Sequence, residues 1–160
     1  ANASVPGCWR LTLWNFGLER FGQWRKGEVT MRLPDVLFDS SIAFQEDGIF
    51  FFHSPGHTQD SASCFDDKDH VLFAGDNLES PLPYLSHACL EPYLGTLRKY
   101  LGLMPSIVIP GHGEPAGSDF IEQNLAYLER LQKGLAPLSS DTESLARHRS
   151  NLSVIASRAT

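Results

Sequence analysis

Three polar side chains in this sequence directly follow a glycine at the end of an apolar, strand-like run. They are His57, Asp76 and His112. The ends of buried strands are where open sheets hold their sites, and a preceding glycine lets the backbone approach a small bound group. A single histidine in such a place is more often a hydrogen-bonded structural residue. Two imidazoles and one carboxylate in this repeated setting predict a metal site suited to zinc, iron or manganese.

The elements that must position these residues are short runs rich in β-branched and aromatic residues. A strong hairpin turn, Asp47-Gly48, separates two of the runs, and a charged turn separates a second pair. A buried run before Pro110 predicts the strand that precedes His112. The predicted strands are Val36–Phe38, Ile42–Phe44, Ile49–Phe52, Ala62–Phe65, Val71–Ala74 and Ile107–Ile109.

Three helices are predicted in the second half of the chain. The first spans about Tyr93–Leu101. The second begins at a capping box made by Asp119 and Glu122. A similar pair, Ser140 and Glu143, predicts the start of the last helix. The apolar side of that last helix is predicted to carry Leu145, Leu152 and Ile155.

The first part of the chain has a different pattern, a short strand running into a helix with three tryptophans. They are Trp9, Trp14 and Trp24. Packing against a neighbouring element explains such a segment more often than an aromatic binding surface does. We therefore predict a connecting segment over residues 1–28 and a separate folded unit over residues 29–160.

Composition excludes several classes of protein. The chain has 160 residues, with 13 Lys and Arg against 19 Asp and Glu and a formal charge of -6. An acidic chain is a poor partner for nucleic acid, and no run approaches the ~20 apolar residues of a membrane span. The 3 cysteines cannot all pair, which argues against a disulfide framework and favours a cytoplasmic protein.

Three motifs together resemble one protein family. The runs are HSPGHTQDS at 53–61, VLFAGDNL at 71–78 and VIPGHG at 108–113. They resemble, in order and spacing, motifs of the metallo-β-lactamase superfamily of hydrolases, and the resemblance covers about Val29 to Leu135. It implies that His57 binds the first of two metals, that Asp76 is the catalytic residue bridging both, and that His112 binds the second.

The resemblance also implies roles around these ligands. A group of supporting residues would hold the turn before the first ligand, although many family members have glycine at the position of Asp60. These are His53, Thr58, Asp60 and Ser61. The loop after Asp76 would border the mouth of the active site, where Tyr84 and His87 are candidate substrate contacts.

One family motif, HxHxDH, has no counterpart in these residues. The six histidines are His53, His57, His70, His87, His112 and His148, and no two are separated by a single residue. Four expected metal ligands are therefore missing, among them the aspartate of that motif. We expect this chain alone to hold zinc weakly or at partial occupancy, since three ligands are less preorganised than a complete site.

The predicted fold class is α/β. The resemblance implies half of an αββα sandwich, with a mixed or antiparallel sheet and helices on one face. The implied function is that of a fragment or truncated relative of a zinc-dependent hydrolase, in which a metal-bound hydroxide attacks an ester, thioester, amide or phosphate. As this chain alone it should be inactive. Two alternatives remain: a non-catalytic assembly or binding module, and a mononuclear metal protein with two histidines and one carboxylate.

A half-sandwich leaves one sheet face without a covering layer. Its helices cover one face only, and the other would expose more apolar surface than soluble monomers tolerate. We therefore expect a homodimer, or a complex with a chain that carries the missing half. The substrate, if the assembly is active, is a small molecule.

Overall fold

A single five-stranded sheet organises the part of the protein described by the computed structural model, residues 35–157. The strands are β1 (Ser41–Phe44), β2 (Ile49–His53), β3 (Ala62–Asp66), β4 (Val71–Gly75) and β5 (Ile107–Pro110). They lie in sequence order. Strands β1 to β4 pair antiparallel, and β5 pairs parallel to β4. The predicted mixed sheet is therefore confirmed.

The first hairpin forms where the Asp47-Gly48 turn predicts it. Gly48 has a positive φ of 75°, which glycine adopts without steric cost, and its amide donates to the carbonyl of Phe44 at 3.0 Å. The predicted strand at Val36–Phe38 is wrong. No strand forms there, and the side chains of Val36 and Leu37 are 63% and 80% exposed.

Three helices follow, α1 (Leu90–Gly102), α2 (Asp119–Gln132) and α3 (Thr142–Ala156). The predicted capping boxes are both displaced by one residue. Ser118 is the N-cap of α2, without a side-chain cap bond. Asp141 caps α3, where its Oδ1 accepts from the amide of Ser144 at 2.8 Å. Hydrogen bonds from Ser139 and Ser144 hold the pKa of Asp141 well below its usual range.

The buried side of α3 differs from the prediction only in part, because Ile155 packs against the core as predicted. Its buried residues are Ser144 and Asn151, whereas Leu152 is 41% exposed. The Asn151 amide satisfies three groups, because its Oδ1 accepts from the amide of Leu85 and its Nδ2 donates to the carbonyl of Pro83 and the hydroxyl of Tyr127. Polar contacts with a distant loop therefore hold α3 in place together with the apolar contacts of Ile155.

The core lies between one face of the sheet and the helices. Its largest fully buried side chains come from β2, β3, β4, β5, α1 and α2, with further members from the loop after β4; they include Phe52, Phe65, Leu72, Val108, Tyr93, Leu97, Tyr100, Ile121 and Leu128. Burying each large apolar side chain contributes about 1.5–3 kcal/mol. The helices thus stabilise the sheet from the face that carries Phe52 and Phe65, as predicted.

The opposite face, called here the outer sheet face, carries two apolar rows. Register places Ile42, Phe51, Cys64, Phe73 and Ile109 in one row. The second row runs through Phe44, Ile49, Asp66, Val71 and Ile107. Large side chains in both rows, among them Phe44 at 47% and Phe73 at 45%, are exposed.

The tryptophan segment and the predicted boundary between residues 28 and 29 lie outside the described residues. Among residues 35–157, no helix is long and apolar enough to cross a membrane.

Candidate functional site

The parallel pairing of β4 and β5 brings Asp76 and His112 together. Each residue comes just after the carboxyl end of its strand, and the amide of Gly111 donates to the carbonyl of Gly75 at 2.9 Å. The His112 Nε2 lies 3.5 Å from the Asp76 Oδ1. Both side chains remain open to solvent, with exposed fractions of 81% and 44%. The pair is thus accessible to a ligand.

Two of the three glycines before the predicted ligands make room for the protein's own side chains. A Cβ at Gly111 would lie 1.9 Å from the Asp76 Oδ1, and a Cβ at Gly56 would lie 2.4 Å from the Asn77 Oδ1. Gly75 differs, because nothing lies within 4 Å of a Cβ there and its positive φ of 58° is the reason for glycine. The absence of a Cβ at Gly56 and Gly111 thus leaves room for the side chains of Asn77 and Asp76.

Asn77 joins the loop before His57 to the end of β4. Its Oδ1 accepts from the amide of His57 at 2.7 Å, and its Nδ2 donates to the Ser54 carbonyl at 2.7 Å and the Tyr100 hydroxyl at 2.9 Å. Burial raises the pKa of Tyr100, so its hydroxyl stays protonated in the network. Asn77 itself is only 1% exposed. This network sets the backbone position of His57.

The His57 side chain faces an acidic residue that the motifs did not single out. Its Nδ1 lies 3.4 Å from the Glu79 Oε1, and the Glu79 Oε2 accepts from the Arg147 Nη1 at 2.9 Å. Arg147 lies on α3, far along the chain from the motifs. The structure therefore places the His57 imidazole beside the Glu79–Arg147 ion pair.

The supporting residues of the turn bond mainly to the turn itself. The Thr58 and Ser61 hydroxyls share a hydrogen bond of 2.8 Å, and the Thr58 amide donates to the Ser61 Oγ at 3.2 Å. His53 ends β2 with its Nε2 2.8 Å from the Gln59 carbonyl. Asp60 lies on the exposed side of the same turn. These contacts hold the loop on which His57 sits.

The two residues of the loop after Asp76 lie in different surroundings. The ring of Tyr84 is 6.1 Å from the His57 ring and 5.3 Å from the Arg147 guanidinium carbon. His87 is half-buried, and its Nδ1 accepts from the amide of Cys89 at 3.3 Å. It lines a cavity of about 420 Å³ with Gln59 and Cys89. Tyr84, of the two, borders the candidate site.

The donors present in the described residues do not make a complete zinc site. Asp76 and His112 face each other, whereas His57 faces Glu79. Within residues 35–157, no group of three or more His, Cys, Asp or Glu side chains is placed to hold a metal ion. Structural and catalytic zinc sites use at least three protein ligands. The arrangement offers a two-residue donor pair and a separate cluster around His57.

The sequence motifs did not indicate three residues of this region: Asn77, Glu79 and Arg147. Asn77 and Glu79 follow Asp76 at one and three positions, so proximity to a strand-end ligand was the available signal. Arg147 had no local signal, because its partner lies in a loop distant in sequence.

Comparison with known proteins agrees with this fold. The family model of the metallo-β-lactamase superfamily matches residues 10–112. A metallo-β-lactamase type 2 of Bacteroides fragilis is 27% identical over 119 residues, covering 66% of this chain and 48% of that protein. The chain therefore spans about half the length of this curated relative.

Two solved structures share the fold over most of the chain. An archaeal metallo-β-lactamase superfamily protein from Sulfolobus tokodaii has a TM-score of 0.60 at 16% identity, covering 94% of this chain and 65% of that one. A metallo-β-lactamase family protein from Thermus thermophilus has a TM-score of 0.58 at 17% identity, with coverage of 96% and 61%. At these identities the likeness concerns the fold, and the family model covers more than half of the sequence. The chain belongs to the metallo-β-lactamase superfamily.

Proposed function

We propose that this chain carries one half of the active site of a zinc-dependent hydrolase and is inactive in hydrolysis by itself. The reaction class of the whole domain would be hydrolysis of a small-molecule ester, thioester, amide or phosphate. The contribution of this chain would be Asp76 and His112 as adjacent donors, with His57 as a third donor on the neighbouring loop.

The observation that carries this proposal is the Asp76–His112 pair at the carboxyl ends of two parallel strands. A carboxylate and an imidazole nitrogen 3.5 Å apart and open to solvent could bind a common ion. Two donors leave most positions around such an ion to water, so preorganisation and affinity would be low. Family membership supports a hydrolase, and the missing HxHxDH ligands support inactivity of the chain alone.

Elemental analysis of dialysed protein should find at most about one weakly held zinc per chain, because fewer than four ligands are available. Replacement of either donor, Asp76→Ala or His112→Ala, should remove that residual binding. The matched control is His70→Ala, which removes an exposed histidine from the turn between β3 and β4 and should leave zinc binding unchanged. Two tightly bound zinc ions per chain would refute the half-site.

The same variants test activity. Hydrolysis of generic ester, thioester and β-lactam substrates by the chain should be no faster than by Asp76→Ala or His112→Ala, because an incomplete site lacks the electrostatic preorganisation that accelerates the reaction. A zinc-dependent rate that Asp76→Ala abolishes would mean that these residues suffice for catalysis.

We also propose that the outer sheet face is an association surface, and that its partner in the isolated chain is a second copy. The row through Phe51 and Phe73 has no charged residue, and the row through Phe44 carries only Asp66, so two copies can meet without strong charge repulsion. Burying this face would remove the exposed aromatic side chains of β1, β2 and β4 from water. A separate chain carrying the missing half is the alternative partner.

Light scattering at low micromolar concentration should give twice the mass of the chain. Phe73→Glu places a charge in the row through Phe51 and Phe73, and it should yield a monomer. The control, Leu138→Glu, changes a leucine that is 81% exposed outside the sheet and should remain dimeric. A stable, well-folded wild-type monomer would disprove self-association and leave the complementing chain as the remaining partner.

A further inference from the structure

The Glu79 carboxylate lies between the side chains of His57 and Arg147, and it is the least exposed of the three. Its side chain is 12% exposed, against 24% for both His57 and Arg147. The Arg147 guanidinium compensates the carboxylate charge at 2.9 Å. A carboxylate this enclosed is costly unless it is paired and hydrogen-bonded, so Arg147 stabilises Glu79 in its present position.

One ring nitrogen of His57, Nδ1, faces the Glu79 carboxylate. Nδ1 is buried, and it has no hydrogen-bond partner of standard geometry among the described residues. The nearest acceptor recorded for it is the Glu79 Oε1 at 3.4 Å. A neutral imidazole carries its proton on one nitrogen and a lone pair on the other. A carboxylate oxygen facing Nδ1 favours the form with the proton there, and this leaves the lone pair on Nε2.

The loop after Asp76 also contacts the Glu79 carboxylate. The amide of Tyr84 donates to the Glu79 Oε1 at 3.3 Å, and the Asn124 Oδ1 accepts from the amide of Glu79 at 3.2 Å. Arg147 also reaches the carbonyl of Leu82 at 3.4 Å. Glu79 is therefore fixed from the loop, from α2 and from α3.

We infer that Glu79, held by Arg147, is a positioning residue that fixes His57 as the Nδ1–H tautomer and keeps the Nε2 lone pair available. This makes α3 part of the candidate site through one arginine. A role of that lone pair in zinc binding rests on the proposed function. The tautomer itself does not depend on a bound ion.

Long-range ¹H–¹⁵N correlation spectra of this chain, recorded without metal at mildly alkaline pH, test this directly. A neutral imidazole then shows one protonated and one unprotonated ring nitrogen, and the His57→Gln variant assigns the signals. In the wild type, Nδ1 should be the protonated nitrogen. Glu79→Leu removes the acceptor and should shift the population towards Nε2–H, whereas Glu79→Gln retains an acceptor oxygen and should preserve Nδ1–H.

Arg147→Met provides a second test that leaves Glu79 in place. Losing the guanidinium should release the carboxylate and produce a partial shift towards Nε2–H. Its matched control, Arg149→Met, changes an exposed arginine of the same helix and should leave the His57 spectrum unchanged. If Glu79→Leu fails to fold, the Arg147 pair still decides between the outcomes.

A wild-type His57 in the Nε2–H form would overturn the inference. So would unchanged Nδ1–H spectra in both Glu79→Leu and Arg147→Met, because a purely structural ion pair lowers stability without altering the tautomer. Failure of the zinc experiments would count against the proposed function and leave the tautomer result standing. The two ideas can therefore fail separately.

Discussion

Replacement of Asn77 by alanine will lower the free energy of unfolding by about 3–5 kcal/mol, since each unpaired buried polar group costs about 1–3 kcal/mol. The variant would leave four groups without their Asn77 partner: the amide of His57, the carbonyl and the hydroxyl of Ser54, and the Tyr100 hydroxyl. Chemical denaturation at several urea concentrations measures the change directly.

Two further variants show whether the network is the cause. Gln123→Ala removes an exposed amide from α2 and should change stability by less than about 0.5 kcal/mol. A double-mutant cycle of Asn77→Ala with Tyr100→Phe should show coupling, because both side chains share one hydrogen bond. An Asn77→Ala variant as stable as the wild type would mean that the loop before His57 is held by other contacts.

Gly56→Ala should destabilise the protein by about 3 kcal/mol or prevent folding, which is the upper range for overpacking a core. The added Cβ would lie 2.4 Å from the Asn77 Oδ1 and 2.7 Å from the Tyr93 ring. Tyr93 is fully buried, and its hydroxyl donates to the Asn77 carbonyl at 2.9 Å, so the ring cannot move aside cheaply. Thermal unfolding followed by circular dichroism measures the effect.

The matched control for this substitution is Gly95→Ala on α1. Nothing lies within 4 Å of a Cβ at Gly95, and alanine is favoured over glycine in a helix interior by about 0.5–1 kcal/mol. The control should therefore raise stability while Gly56→Ala lowers it. Equal effects of both substitutions would show that the loop around Gly56 has room that the structure does not indicate.

Local signals predicted most of the sheet. The Asp47-Gly48 turn and the alternation around it are short-range features, and β1 to β4 follow them closely. Val36–Phe38 is a similar apolar run but forms no strand, since tertiary context can override strand propensity. The displaced helix starts at Ser118 and Asp141 reflect competition between adjacent polar residues for the N-cap position.

The candidate site was predictable in part, and for a physical reason. Strand ends followed by glycine identified Asp76 and His112, and parallel neighbours do bring such ends together. Nothing in the sequence near His57 indicates that Arg147, which lies on α3, pairs with Glu79. The polar anchors of α3, centred on Asn151, were missed for the same reason, since their partners lie in a loop far along the chain.

The order of the strands has a consequence for how the protein is made. Strands β1 to β4 pair with their neighbours in sequence and can join as soon as each hairpin emerges during synthesis. Strand β5 pairs with β4, and the whole of α1 lies between these two strands in the sequence. Among the strand pairs of this sheet, this pair has the largest sequence separation. Closing that long loop costs more chain entropy than closing a hairpin. The meeting of Asp76 with His112 therefore depends on the last strand to be added, and a nascent chain can possess most of its sheet before it possesses this pair.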